Sequence, residues 1–577
     1  MFQLTILDTV FTMMLMMTPK DKANQFLKEE QAFRLGSLLT ESSHPKTQTL
    51  SQTIQQDTEA GIRLLQSVDQ DIVEHLETLF SQDGYAKLVS ALYTAMSQGK
   101  RIFFTGCGST GRLSILLEAA WQEFWQQVPD RAMADRCVSV MAGGDFALIK
   151  SVEGFEDFPK FGRYQLREAG VHTGDVVVAI TEGGETPFVI GTAWEGIDAG
   201  AHVFFVYNNP TDLLCNQVER SREILEDPRI TSLDLTTGPM AIAGSTRMQA
   251  TTAELLIVGS ALEAALQQWL QISETLPAPQ QTFRDLMQQL TVPSCVTTLA
   301  QITEFEESIY RHHGLITYTA NWALLDVLTD TTERSPTFMI PPFRKDDDPK
   351  SPLSWAFAKT PLASTEQAWH QMLQRPPRGL TWQQEVYRQL NAPLALQNQP
   401  PELSNQTLYG FLIGNEWDAN RTSADINAHM AIGFTDEMHS LYPFGTNSFQ
   451  QTAMLSVGDN RLFTGKLPEV HFHFPLDLPE SPLQLWRHLA IKLILNTVST
   501  ATMCRMERVL GNAMLWVSPS NKKLIDRGCR LITQVTGCVY KEACVRLFQA
   551  LDKVEALHAQ GQEVASPVAM VIKEMNA

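Results

Sequence analysis

Three turns rich in small residues each separate a short strand-like run from a helical repeat, and this alternation constrains the fold more than any other feature of the chain. Arg101–Thr105 (RIFFT) runs straight into GCGSTGR, after which Leu113, Leu116, Leu117 and Trp121 recur at helical spacing. Asp175–Ile180 (DVVVAI) ends in TEGGETP, which places Thr186 at an N-cap and Pro187 at the first helical position, with Phe188, Ile190, Trp194 and Ile197 following as far as Gly200. A third strand, His202–Val206, ends at Tyr207-Asn-Asn-Pro. A fourth, Thr231–Leu235, leads into GPMAIAGSTR and a helix from about Met248 to Leu270. Strand, turn and helix in this order predict an α/β fold: a mostly parallel sheet with helices on both faces. Ligands of such sheets bind at the carboxyl ends of the strands, where all three turns fall.

The rest of the chain is read around this unit. Residues 25–92 are helical in pattern, with polar breaks at 42–49. Residues 276–480 carry strand-like runs at Leu315–Thr319, Gly410–Ile413 and Val470–Phe474, separated by proline-containing loops, and read as a second α/β unit with long insertions. From about Leu483 onward the pattern is helical. Thr252-Ala-Glu-Leu-Leu-Ile-Val-Gly-Ser-Ala after the first unit resembles Leu489-Ala-Ile-Lys-Leu-Ile-Leu-Asn-Thr-Val-Ser after the second, which suggests one domain used twice. At 577 residues the chain is long enough for two or three cores. The expected division is 1–34 as an N-terminal extension, 35–275 and 276–482 as the two α/β domains, and 483–577 as a helical domain.

A formal charge of −19 repels nucleic acid and anionic membrane, so neither is an expected partner, although a local nest of backbone N–H groups can still hold an anion. The eight cysteines form no CxxC pair and no zinc spacing, which favours a reducing compartment and a cytoplasmic location. The opening MFQLTILDTVFTMMLMMTPK is apolar but lacks a basic n-region and a small-residue cleavage site. It reads as an extension, with Met17 as an alternative start, and not as a secretory signal.

GCGSTGR is the strongest local feature. Gly106, Gly108 and Gly111 let backbone amides converge on one oxyanion at a helix N-terminus, and Ser109 and Thr110 add hydroxyl donors. Arg112 follows Gly111 where a nucleotide-binding P-loop would place lysine, and the next strand lacks the acidic residue of a dinucleotide site. A phosphate monoester fits what remains; a tight structural turn is the alternative. Thr181, Gly183, Gly184 and Thr186 in the second turn, and Ser245, Thr246 and Arg247 in the third, lie at the same sheet edge. AGGD and VEGFED add carboxylates there, among them Glu153 and Glu156. Phosphate donors beside carboxylates describe a sugar-phosphate site that needs no cofactor, metal or nucleotide. His471 and His473 alternate on one strand with no third metal ligand nearby, and Trp121 and Trp125 are spaced as core residues.

GCGSTGRLSILLEA resembles the phosphate loop of the N-acetylmuramic acid 6-phosphate etherases. The likeness continues in order through AGGDFALIKSVEGFED, ETPFVIGTAWEGIDAGA, YNNP, TGPMAIAGSTRM and the closing ILNTVSTATMCRMERVLGNAMLWVSPSNKKLIDRGCRLITQVTGC. It implies sugar isomerase (SIS) domains. An etherase has one such domain per chain and dimerises, whereas two in tandem before the same closing helices resemble the glucokinase regulatory protein family, fructose-phosphate-responsive inhibitors of a sugar kinase. That resemblance implies a monomer whose two SIS domains pack as a pseudo-dimer, with a sugar kinase as partner. It also implies a sugar-contacting carboxylate at Glu333 and a phosphate-contacting cation at Lys492. The first copy has Leu255 where the second has Lys492, so one asymmetric site is expected. Of the etherase's two catalytic glutamates one matches Glu156 and the other falls at Ala120. Glu118 lies about 200° around the helix from that position. An intact positioned acid or base contributes about 10²–10⁴-fold, so its loss favours a regulator over a lyase. Glu182 and Glu185 stand where the relatives have small or hydroxyl residues, and two carboxylates beside a phosphate disfavour it unless they turn to solvent or meet Arg247 or Lys492.

Overall fold

The computed structural model describes residues 17–128, 133–152, 154–271, 278–442, 448–459, 469–558 and 565–576. Its first sheet holds β1 (Ile102–Gly106), β2 (Cys137–Met141), β3 (Val176–Ile180), β4 (His202–Tyr207) and β5 (Ile230–Asp234), all parallel in the order β2-β1-β3-β4-β5. The second holds β6 (Leu315–Thr319), β7 (Ala356–Lys359), β8 (Asn427–Phe434), β9 (Gln451–Val457) and β10 (Val470–Phe474), also all parallel. Read from its β7 edge, the order is β7-β6-β8-β9-β10, the order of the first sheet repeated strand for strand. β1 and β6 are five residues each, so counting from their ends pairs Ser109 with Trp322, Arg112 with Leu325, Leu116 with Thr329 and Ala120 with Glu333.

The helices that position the site are α1 (Pro19–Glu29), α2 (Thr58–Ser81), α3 (Ser109–Gln127), α4 (Pro187–Asp198), α5 (Gln249–Leu270), α6 (Leu324–Phe338), α7 (Leu485–Arg505) and α8 (Lys522–Thr536). α5 and α7, the two resembling segments, are buried over most of their lengths and pack against each other. A helix apolar on nearly all sides can be stable only when covered all round, and here a single apolar cluster takes in Phe104 and Val178 of the first sheet, α5 and α7, and Met430 and Leu455 of the second. The two halves therefore share one core. Among the described residues, no helix is long and apolar enough to cross a membrane.

Several expectations need correction. Gly410–Ile413 is a bend, not a strand, while β2, β7, β8 and β9 were not anticipated. β2, β7 and β8 are buried along their whole length, so they show no alternation of polar and apolar residues to mark them. Residues 1–16 lie outside the described residues, but the remainder of the expected extension includes a firm helix. α1 starts in a capping box between Thr18 and Asp21 and buries Phe26 against Phe548, ring centroids 6.1 Å apart.

Candidate functional site

β1 and β3 are neighbours, yet the chain leaves them toward opposite edges of the sheet, so the turns that follow them flank a crevice at the strands' carboxyl ends. The GCGSTGR turn is shaped by two of its glycines. A Cβ at Gly106 would lie 2.4 Å from the carbonyl carbon of Thr110, and Gly108 adopts φ +57°, the left-handed region that disfavours other residues. α3 begins at the next residue, which leaves the amides of Ser109, Thr110 and Gly111 without intrahelical acceptors. The Thr110 hydroxyl closes the turn on itself, accepting from Cys107 N and donating to Cys107 O, both at 3.0 Å. Ser109 is the hydroxyl that faces the cleft.

The cleft has an interior of about 40 Å³, lined by Ser109 and Arg112 of α3, Arg247 and Leu255 from the first half, and Asp330, Glu333 and Lys492 from the second. Thus four polar residues expected from sequence, Ser109, Arg112, Arg247 and Lys492, meet Glu333 in one space. Arg112 Nε, Arg247 Nε and Glu333 Oε1 are all buried without a protein partner. Unpaired buried polar atoms are rare in native proteins, and three converging on one cleft mark a place that receives a polar ligand or ordered water. Lys492 Nζ donates to Arg247 O at 2.8 Å, Met248 O at 3.1 Å, Thr252 Oγ1 at 2.9 Å and Asn496 Oδ1 at 2.9 Å. Burial depresses its pKa to about 8, against the pull of Glu333 and Asp69. Burial also lowers Arg112, opposed by Glu333.

The other expected residues surround this cleft without lining it. The hydroxyls of Thr181 and Thr186 bond each other at 3.0 Å, so Thr186 occupies the N-cap of α4 without capping it through its side chain. Gly183 and Gly184 complete that turn, with Gly184 at φ +71°. Ser245 is buried in the turn before α5, and Thr246 beside it lies near enough to the Glu182 carboxylate to favour its charged form. Glu153 lies outside the described residues. Glu156 is held by Asn521 Nδ2 at 3.2 Å, and burial raises its pKa to about 7 despite Lys523 nearby. Burial likewise raises Glu182 to about 7.

Glu185 neither turns to solvent nor meets Arg247 or Lys492. It is buried between Arg220 Nη2 at 2.7 Å and Lys523 Nζ at 2.8 Å, which together outweigh burial and keep its pKa below the usual carboxylate value. Glu118 is likewise structural, accepting from Ser139 Oγ at 2.6 Å and pairing with Arg375 and Arg378 of the second half. Sequence reading missed Asp330, Arg220 and Lys523. Asp330 carries a findable signal: it precedes Glu333 by three positions on α6 and so shares its face. Arg220 and Lys523 carry none, because their partner Glu185 is distant in sequence.

The architecture defines an α/β protein with tandem SIS-like domains. Residues 85–194, which carry β1, β2 and β3, match the family model of the glucokinase regulatory protein N-terminal SIS domain. The chain is similar to N-acetylmuramic acid 6-phosphate etherase 1 of Bacillus licheniformis, 28% identical over 42% of this chain and 73% of that protein. It is also similar to the N-acetylmuramic acid 6-phosphate etherase of Thermosynechococcus vestitus, 32% identical over 38% of this chain and 64% of that one. The matches thus span about two-thirds of those relatives. Among solved structures, the C-terminal domain of glucosamine-fructose-6-phosphate aminotransferase from Francisella tularensis aligns with a TM-score of 0.42 at 10% identity, over 77% of this chain and 94% of that one.

Proposed function

We propose that the chain is a sugar-phosphate-responsive regulatory protein of the glucokinase regulatory protein type. One observation carries this reading: the cleft joins the glycine-rich turn of the first half to Glu333 and Lys492 of the second. A hexose phosphate with its phosphate on the amides of Ser109–Gly111 and its hydroxyls toward Glu333 touches both halves, so occupancy biases how they close on each other. Such coupling is typically about 1–3 kcal/mol. In this reading residues 35–275 and 276–482 are the two SIS units and the helices within 483–577 report the ligand to a partner, a sugar kinase.

The test is calorimetry with fructose 6-phosphate, fructose 1-phosphate, glucosamine 6-phosphate and N-acetylmuramic acid 6-phosphate, followed by assay of a glucokinase-type enzyme with and without the ligand that binds. Saturable binding of a fructose phosphate that changes inhibition of the kinase supports the reading. Absence of binding at millimolar ligand sinks it.

A second reading, an etherase-like lyase, is favoured by one observation. Glu156, half-buried, and Glu182, buried, both have pKa values of about 7, the range of a working acid or base, and Glu333, the counterpart of Ala120, is a carboxylate that lines the cleft itself. Release of D-lactate from N-acetylmuramic acid 6-phosphate at roughly 1 s⁻¹ or faster, lost in Glu156→Gln, would establish the lyase and displace the regulator.

A further inference from the structure

The repeat that pairs Ser109 with Trp322 and Ala120 with Glu333 implies a second cleft related to the first by exchange of the two halves. It exists, and its chemistry has been replaced. Trp322 and Leu325 stand where the first cleft has Ser109 and Arg112, and Leu116 and Ala120 face them where the first has Thr329 and Glu333. The second cavity measures about 230 Å³, against about 40 Å³ in the first. Among the described residues no arginine or lysine lines it, and its turn has no glycine, so an oxyanion finds no cradle of backbone amides there. Its polar lining consists of Glu123, Asn321, Thr360, Gln371, Gln374 and His488.

This lining is organised. His488 is only 6% exposed, and the Asp326 carboxylate fixes its ring through Nδ1 at 3.0 Å. Its Nε2 is buried without a partner. Trp322 stacks on the His488 ring with centroids 4.6 Å apart and an interplanar angle of 24°, and it donates from Nε1 to Glu123 Oε1 at 2.9 Å and from its backbone N to Glu437 Oε2 at 3.1 Å. The cavity therefore offers a held imidazole nitrogen, one carboxylate, three side-chain amides and a hydroxyl, beside the apolar faces of Ala119, Ala120 and Met372.

We propose that this second cavity binds an unphosphorylated monosaccharide or polyol. Hydroxyls that donate and accept match a lining that also does both, and the Glu123 carboxylate, with no glycine-rich turn beside it, disfavours a phosphate. On this proposal the chain holds a neutral-ligand pocket beside the one asymmetric sugar-phosphate site expected from its sequence.

The test uses the full chain, titrated with D-fructose, D-glucose and sorbitol at millimolar concentrations by saturation-transfer NMR and calorimetry, without sugar phosphate present, so the outcome is independent of the first cleft. We expect saturable binding of at least one of the three. Gln371→Trp, which fills the rim from an exposed position, and His488→Asn, which keeps the Asp326 bond and removes Nε2, should each weaken that binding about tenfold or more, the equivalent of about 1.4 kcal/mol. Adding fructose 6-phosphate should not displace the neutral sugar. No saturable binding of any of the three, displacement by fructose 6-phosphate, or binding unchanged in both variants would overturn the proposal.

Discussion

Arg247 Nη1 and Asp330 Oδ1 pair at 3.1 Å across the boundary between the two halves of the chain, with side chains 2% and 3% exposed. Arg247 also donates to Ser499 at 2.7 Å and Thr500 at 2.9 Å on α7, and Asp330 accepts from Arg334 at 2.9 Å on its own helix. A residue read from sequence as a phosphate donor is thus already committed to holding α5, α6 and α7 together, which fixes the floor of the cleft before any ligand arrives.

Asp330→Asn leaves the buried Arg247 without its acidic partner and leaves Arg334 with Glu306 alone. Breaking a buried pair in this way costs about 3–5 kcal/mol. We expect a clearly lower midpoint in urea unfolding followed by circular dichroism. A midpoint equal to wild type would mean that water reaches both guanidinium groups.

Ser109→Ala and Thr110→Val separate two roles. Ser109 faces the cleft, so its loss should weaken sugar-phosphate binding by about 1–3 kcal/mol, the scale of a hydrogen bond to a charged group, without moving the unfolding midpoint. Thr110→Val removes both bonds that close the turn, and should lower affinity and thermal stability together. Paired calorimetry and thermal melts distinguish them. Equal melts for the two variants would contradict the assignment.

Affinity for fructose 6-phosphate should fall as pH rises through about 8. Lys492 in the free protein has its pKa depressed to about 8, and a phosphate dianion favours the protonated amine, so binding above that pH must first take up a proton. In Lys492→Met the decline between pH 7 and 9 should vanish. A decline of the same size in the variant would assign it to another group.

Glu182→Gln should stabilise the fold at pH 8 and not at pH 4. The folded pKa of Glu182 is raised to about 7 from 4.5. Its stabilising contribution is present below the unfolded value and is lost as pH rises through the folded one. At one unit per 1.36 kcal/mol the gain at pH 8 is at most about 3 kcal/mol. Unfolding midpoints at the two pH values measure it, and an equal change at both would contradict the burial argument.

The first half was largely legible because its turns carry glycine where the backbone requires it: β1, β3 and β4 lie within one residue of their expected bounds, and α4 and α5 begin at the expected turns. The second half resisted because its turn after β6 is Ala320-Asn-Trp-Ala, with no glycine and no hydroxyl, and because long insertions separate its buried strands. Local pattern could place Ser109 and Arg112 at a helix N-terminus. It could not show that Glu185 is neutralised by Lys523, since that contact spans 338 positions in sequence. The links of Glu333 and Lys492 to the same cleft came from the resemblance; helical periodicity alone does not bring α6 and α7 to α3.

The repeated strand order has an evolutionary consequence. In an assembly of two identical chains, every substitution strikes both copies of a site at once, so a change useful in one and harmful in the other cannot persist. Joining the halves covalently removes that constraint. Position 120 could become alanine while its counterpart 333 remained glutamate, and position 322 could become tryptophan while 109 remained serine. One duplicated scaffold can then evolve two specificities that no homodimer of the same fold could hold together.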